Sequence, residues 1–263
     1  KGFESVTIGA VEKHITETAF DNGWVKPIVP KIEKEHSVGI IGSGPAGLAA
    51  ADLLRRKGYQ VIVYDRYDRV GGLLIYGIPG FKLEKEIVTR RHELLEQGGV
   101  HFQLECEIGR DISFTDLQEK HDAILIATGV YKARDIDLVG SELKGVVPAL
   151  DYLIASNRKS LGDDVPSFNE GTLNAASKNV VVVGGGDTAM DCVRTAIRQN
   201  AKSVTCLYRR DRTNMPGSQR EVQNAEEEGV NFQWLSAPTQ FLGERKVSLS
   251  LIHISEPTRQ LCI

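Results

Sequence analysis

VGIIGSGPAGLAAADLLRRKG, residues 38–58, reads as a short apolar strand, a glycine turn and an alanine-rich helix in immediate succession. Val38, Ile40 and Ile41 are β-branched, which suits a buried strand, whereas Ala and Leu dominate the stretch after Pro45, which suits a helix. Within the turn, Gly42 permits a tight bend, Gly44 lets the backbone approach a pyrophosphate, and Gly47 lets the helix pack close to the strand. The turn, with Ser43, Pro45 and Ala46, leads into a helix start whose free N–H groups and positive dipole end favour phosphate. Gly58 ends the helix, Val61–Tyr64 forms the next strand, and Asp65 closes it with a carboxylate suited to accept hydrogen bonds from ribose hydroxyls.

The pattern recurs at Val180. Four valines run into Gly184-Gly185-Gly186-Asp187-Thr188-Ala189 and then into an amphipathic stretch ending at Arg198. This is a glycine turn with Ala189 at the third glycine position, and it suits a nicotinamide dinucleotide. The following strand, Ser203–Tyr208, runs into Arg209 and Arg210 instead of an acid. A carboxylate there would repel the 2′-phosphate of NADP, whereas a guanidinium holds it with paired charge-assisted hydrogen bonds. The competing reading makes Arg209, Arg210 and Arg212 a solvated basic turn. The expected fold class is α/β, with two Rossmann-like dinucleotide-binding domains, mostly parallel sheets and an N-terminal helical remnant.

Asp65-Arg66-Tyr67-Asp68-Arg69-Val70-Gly71-Gly72-Leu73 resembles the segment after the second strand in two-dinucleotide flavoproteins, where the Gly-Gly-Leu backbone runs against FAD. A plain glycine hairpin is the alternative. Ala127-Thr128-Gly129, after the strand Ala123–Ile126, resembles the motif that closes the first segment of the flavin domain. FAD is therefore expected at the first turn and NADPH at the second, with hydride passing from one to the other. The flavin carries that chemistry, so neither a catalytic side chain nor a metal site is expected.

Together with YGIPGFKL (residues 76–83) and NMPGSQREVQNAEEEGV (214–230), these motifs resemble the small subunit of NADPH-dependent glutamate synthases, with the reductase portion of dihydropyrimidine dehydrogenase as a more distant relative. The resemblance runs from Ser5 to about Gly243. It implies that NADPH reduces FAD and that electrons leave through iron-sulfur clusters toward a large subunit, which makes glutamate from glutamine and 2-oxoglutarate. It further implies that Gly42, Ser43, Gly44, Pro45, Ala46, Asp65, Leu73, Lys82 and Ile108 line the flavin. Gly185, Gly186, Asp187, Thr188 and Arg209 would meet NADPH. Glu12 matches a cluster-facing position of the distant relative, but a solvent-facing helix residue is the preferred reading. Two rivals stay open: a reductase for another acceptor such as a ferredoxin, and a nucleotide-holding scaffold without turnover.

Composition narrows the field. The 263 residues are 41% hydrophobic and 25% charged, with a formal net charge of -3, which gives no nucleic-acid footprint. No apolar run approaches the roughly 18 residues of a membrane span, and Lys1–Ala10 lacks the apolar centre of a secretory signal, so a cytoplasmic location is expected. Cys106, Cys192, Cys206 and Cys262 show no CxxC or metal-ligand spacing and read as plain thiols.

The expected organisation is residues 1–36 as the helical remnant of an iron-sulfur domain and linker, 37–145 as the first segment of an FAD-binding domain, and 146–248 as an incomplete NADPH-binding domain. Leu161–Lys178 is expected to be a connecting excursion. The final stretch, 249–263, contains LSLIHISEPTR, which matches a translated library adapter and is expected to be non-native; a native strand SLSLIHIS is the alternative. The parent protein is expected to carry its cluster cysteines and a closing flavin motif outside this sequence.

Overall fold

The computed structural model describes residues 7–131 and 136–254. Cys262, the tail after Ile254 and residues 1–6 of the expected remnant lie outside the described residues. Contacts divide the chain into two compact units, Lys1–Gly72 with Glu86–Thr128, and Leu73–Lys85 with Gly129–Ile263.

The first unit opens with α1 (Ile8–Asp21), followed by β1 (Ser37–Ile41), α2 (Pro45–Arg56) and β2 (Gln60–Tyr64). A short helix, α3 (Leu73–Tyr76), groups with the second unit. The first unit resumes with α4 (Lys85–Gln97), β3 (Val100–Gln103), α5 (Phe114–Lys120) and β4 (Ala123–Ile126). Its four strands form a parallel sheet in the order β3-β2-β1-β4, with Ile41 level with Tyr64 and Ile126. Ile40, Val61, Val63 and Val100 are fully buried, the continuous apolar character of a parallel sheet covered by helices. Helix α2 begins with Pro45 at its first turn, where a missing N–H costs nothing, and ends where Gly58 takes φ +85°. Arg90 of α4 fastens α1, placing two nitrogens 2.9 Å from the Glu17 carboxylate and its guanidinium over the Phe20 ring.

The second unit contains α6 (Ala149–Ser160), α7 (Pro166–Asn169), β5 (Asn179–Val183), α8 (Asp187–Arg198), β6 (Ser203–Tyr208), α9 (Gln219–Glu227) and β7 (Asn231–Trp234). Strands β5, β6 and β7 form a parallel sheet in that order, and β8 (Ser236–Leu242) pairs antiparallel with β9 (Leu249–Ile254). Met190, Val193 and Ala196 of α8 meet Val204 and Cys206 of β6 and Val222 and Ala225 of α9 in one buried cluster. Val180 and Val182 pack against it from β5, whereas Val181 and Val183 alternate onto the open face.

The compact units divide the chain at Thr128, earlier than the expected boundary at 145. The reason is local pairing: Phe241 N donates to Val139 O at 2.9 Å, and Lys144 bridges in parallel to Lys246. Gly140 has φ +85°, and a Cβ there would overlap the Phe241 carbonyl.

Candidate functional site

In the first unit the glycine turn is built from three different demands. Gly42 takes φ +108°, and a Cβ on it would lie 2.5 Å from the carbonyl oxygen of Ala127, so this glycine admits both the bend and the motif after β4. Gly47 faces the strand so closely that a Cβ would overlap the Gly42 carbonyl. Gly44 has nothing within 4 Å of its Cβ direction. A phosphate therefore has room at Gly44, at the amino end of α2, where Pro45 and Ala46 begin the helix.

Asp65 is buried, and its carboxylate turns onto the turn itself. Ser43 donates to Oδ2 from its backbone N at 2.7 Å and its hydroxyl at 2.6 Å, and Tyr67 N donates to Oδ1 at 2.9 Å. Three protein donors leave about one of the four acceptor directions of a carboxylate for a ribose hydroxyl. Gly71 N donates to Ser43 O at 3.1 Å, and the pair Gly71-Gly72 adopts φ +126° and +53°, so the glycine pair is folded against the same turn. Thr128 follows β4 beside Gly42. Ile108 packs on the cluster of Tyr64, Cys106 and Leu117.

Three of the expected flavin residues belong to the second unit. Leu73 starts α3, Gly129 follows the unit boundary at φ +67°, and Lys82 places its ammonium 2.7 Å from Asp191 Oδ1 and 3.7 Å from Glu221 Oε2. Burial raises the Asp191 carboxyl above its usual range, against the opposing pull of Lys82. Glu12 is exposed on α1.

The second turn differs in its contacts. Gly184 takes φ +146°, and a Cβ on it would stand at ordinary van der Waals distance, 3.6 Å, from the Ala189 methyl. A Cβ on Gly185 would fall 2.5 Å from the Tyr208 ring, and Gly186, which caps α8, has nothing within 4 Å of its Cβ direction. Gly186 is thus the open position here, as Gly44 is in the first turn. Asp187 and Thr188 form the first turn of α8, and Asp187 Oδ1 accepts from Ser218 N at 3.1 Å. Arg209 and Arg210 are exposed and meet no protein carboxylate among the described residues, whereas Arg212 pairs with Glu226 at 2.7 Å.

Sequence reasoning passed over two groups here. Tyr208 stands one step past Leu207, which is level with Val183, so it occupies the place that Asp65 holds beyond Tyr64. Its hydroxyl donates to Asn214 O at 3.1 Å. In the first unit, Tyr64 and His121 share a 2.9 Å hydrogen bond, and a Cβ on Gly39 would lie 2.6 Å from the imidazole. Burial, then Lys120, holds that imidazole below its ordinary pKa. Gly39 was the available signal, a glycine inside an otherwise apolar strand. A cavity of about 260 Å³ lined by Glu33, Ser37, Arg55 and Gln60 lies at the amino ends of β1 and β2, opposite to the glycine turn.

Residues 36–259 match the family model of the pyridine nucleotide-disulphide oxidoreductases. The chain belongs to this family. Its described cysteines, Cys106, Cys192 and Cys206, are free and buried, and burial pushes the thiols of Cys192 and Cys206 up to about 12, so none of them resembles a redox pair. A Cereibacter sphaeroides chain named as a candidate glutamate synthase [NADPH] small chain is 67% identical over 92% of this chain and 58% of its own length. The glutamate synthase [NADPH] small chain of Azospirillum brasilense is 65% identical over 93% of this chain and 51% of its own. The chain therefore spans little more than half the length of these relatives. Among solved structures, Mycobacterium tuberculosis FprA in complex with NADPH shares the fold, with a TM-score of 0.72 at 17% identity over 85% of this chain and 64% of its own. Among the described residues no helix is long and apolar enough to cross a membrane, and no cluster of His, Cys, Asp and Glu is arranged for a metal ion.

Proposed function

We propose that this chain is the nucleotide-binding part of an NADPH-dependent glutamate synthase small subunit, acting in the cytoplasm. The observation that carries the reading is the pair of glycine turns, each at the carboxyl end of a parallel strand, β1 or β5, and each open at one glycine, Gly44 and Gly186. Both turns fit a dinucleotide, because a side chain at either open position would fill the space a pyrophosphate needs.

In the first unit, Gly42, Ser43, Gly44, Pro45, Ala46 and Gly47 would hold the FAD pyrophosphate. Asp65 would offer its remaining acceptor to ribose, and Gly72, Ile108 and Thr128 would border the site. Leu73, Lys82 and Gly129 are assigned to FAD from the family resemblance alone. In the second unit, Gly184, Gly185, Gly186, Asp187 and Thr188 would receive the NADPH pyrophosphate, and Arg209 and Arg210 its 2′-phosphate. Bound FAD supplies a two-electron acceptor that can release electrons singly. The chain's own contribution is to orient, to exclude water and to supply cations; no side chain is assigned a proton transfer. Iron-sulfur clusters, held by cysteines other than those of this sequence, would carry electrons to the large subunit that forms glutamate from glutamine and 2-oxoglutarate.

Anaerobic titration of the FAD-reconstituted full chain with NADPH tests this. The flavin's visible absorbance should bleach with NADPH and far less readily with NADH. Arg209→Ala should weaken NADPH binding about tenfold to a hundredfold, the loss of a charge-assisted phosphate contact. Retention of FAD with no bleaching by either nucleotide would remove the redox reading and leave a nucleotide-holding scaffold.

A further inference from the structure

We propose that Tyr208, Gly217 and Ser218 form a clasp that holds the basic loop after β6 on the second glycine turn, and that they are positioning residues for recognition of a 2′-phosphate. The inference rests on the reading of this unit as the NADPH site and deepens it. The loop leaves β6 at Tyr208 and returns to within hydrogen-bonding distance of the turn it started beside. Gly217 N donates to Gly185 O at 2.9 Å, and Ser218 N donates to Asp187 Oδ1 at 3.1 Å. Between these ends, the Tyr208 hydroxyl donates to Asn214 O, and Asn214 donates to Asp211 Oδ1 from its backbone N at 2.8 Å and its side chain at 2.9 Å.

Two of the three clasp residues, Tyr208 and Gly217, are required by type. The Tyr208 ring occupies the space beside Gly185, so the tyrosine alone already requires a glycine at the middle of the turn. A Cβ on Gly217 would meet Gly185 O at 3.0 Å. Ser218 caps α9 without a side-chain hydrogen bond, so its backbone N–H, and not its hydroxyl, does the fastening. The enclosed loop presents Arg209 and Arg210 without protein carboxylates among the described residues, while Arg212 is spent on Glu226. Two arginines carried on a backbone held in advance lose less conformational freedom on meeting a phosphate than two on a free loop. The arginines supply the charge, and the clasp sets where that charge stands relative to the pyrophosphate.

The test is calorimetric titration of the full chain with 2′,5′-ADP and with 5′-AMP, which differ only in the 2′-phosphate. Wild type should prefer 2′,5′-ADP, and Arg209→Ala should erase most of that preference. Tyr208→Phe removes one hydroxyl, and Ser218→Pro removes one N–H at a residue whose φ of -55° a proline accepts. Each should reduce the preference about threefold to tenfold, the worth of one hydrogen bond, while 5′-AMP affinity stays unchanged. If both variants keep the full preference while Arg209→Ala loses it, the clasp is wrong and the NADPH reading survives. If the two ligands weaken in parallel, the three residues are merely structural and the proposal also falls. If wild type shows no preference for 2′,5′-ADP, the NADPH reading fails and the clasp falls with it.

Discussion

The two strand-turn-helix units place different chemistry at the same geometric positions. Asp52 stands as far along α2 as Arg194 does along α8, and both are buried. In the first unit the buried charge is negative and is met by Arg56 and by Arg91 of α4, the latter at 2.8 Å. In the second it is positive and is met by Glu221 of α9 at 2.6 Å and by Glu228, just past the end of that helix, at 2.7 Å. The glycine turns diverge likewise. Ser43 is tied to Asp65, whereas its counterpart Gly185 is packed under Tyr208. The backbone path from strand through turn to helix tolerates these exchanges, because it fixes only which position is buried, which is close to backbone and which is open.

The third turn position gives the largest contrast. Gly47→Ala would drive a methyl into the Gly42 carbonyl, and since backbone cannot yield as a side chain does, a loss of about 3 kcal/mol is expected in urea unfolding. The reciprocal change, Ala189→Gly, should cost only about 1 kcal/mol, the helix penalty of glycine. Equal costs at the two sites would break the comparison.

The charge reversal gives the next effect. Hydrogen bonds from Arg198 and Arg194 hold the Glu228 carboxyl down at about 2. Its folded pKa lies below the usual 4.5, so its stabilisation is fully present above about pH 4.5 and drains away as pH falls toward 2. Glu228→Gln should therefore cost about 2 kcal/mol at pH 7, and the gap to wild type should close as the pH is lowered through that window. Asp52→Asn should cost less, about 1 kcal/mol, because Arg56 and Arg91 are more exposed and their pairing is screened.

The smallest effect sharpens the difference between the turns. Ser43→Ala removes one hydroxyl from Asp65 but leaves the backbone N–H in place, so a stability loss of about 1 kcal/mol is expected. It also opens an acceptor direction on Asp65. A rise in FAD affinity on Ser43→Ala would show that the hydroxyl competes with ribose.

Both nucleotide folds were legible because their signal is local. Glycines at fixed spacing, β-branched strands and the alanine-rich helix fall within single stretches, and the strands at 37–41, 60–64, 179–183 and 203–208 follow from them. The place of Arg209 and Arg210 directly after β6 was legible for the same reason. Tyr208 was not, since aromatic residues commonly end buried strands, and its contact with Gly185 depends on β5 and β6 lying side by side. Gly217 and Ser218 were hidden further, because a loop's return to a distant turn leaves no periodicity. Nor does any pattern in YGIPGFKL show that Lys82 meets Asp191, more than a hundred positions away.

The chain crosses between the compact units at Gly72, returns after Lys85, and leaves again at Thr128. The units are therefore not separable modules in the genetic sense. A chimera joined at a single point near residue 128 would combine a foreign second unit with the resident 73–85 segment, whose Lys82, Phe81 and Tyr76 were matched to Asp191, Arg198 and Asn157 of the discarded partner. Functional recombinants should be confined to exchanges that carry 73–85 together with everything after 129.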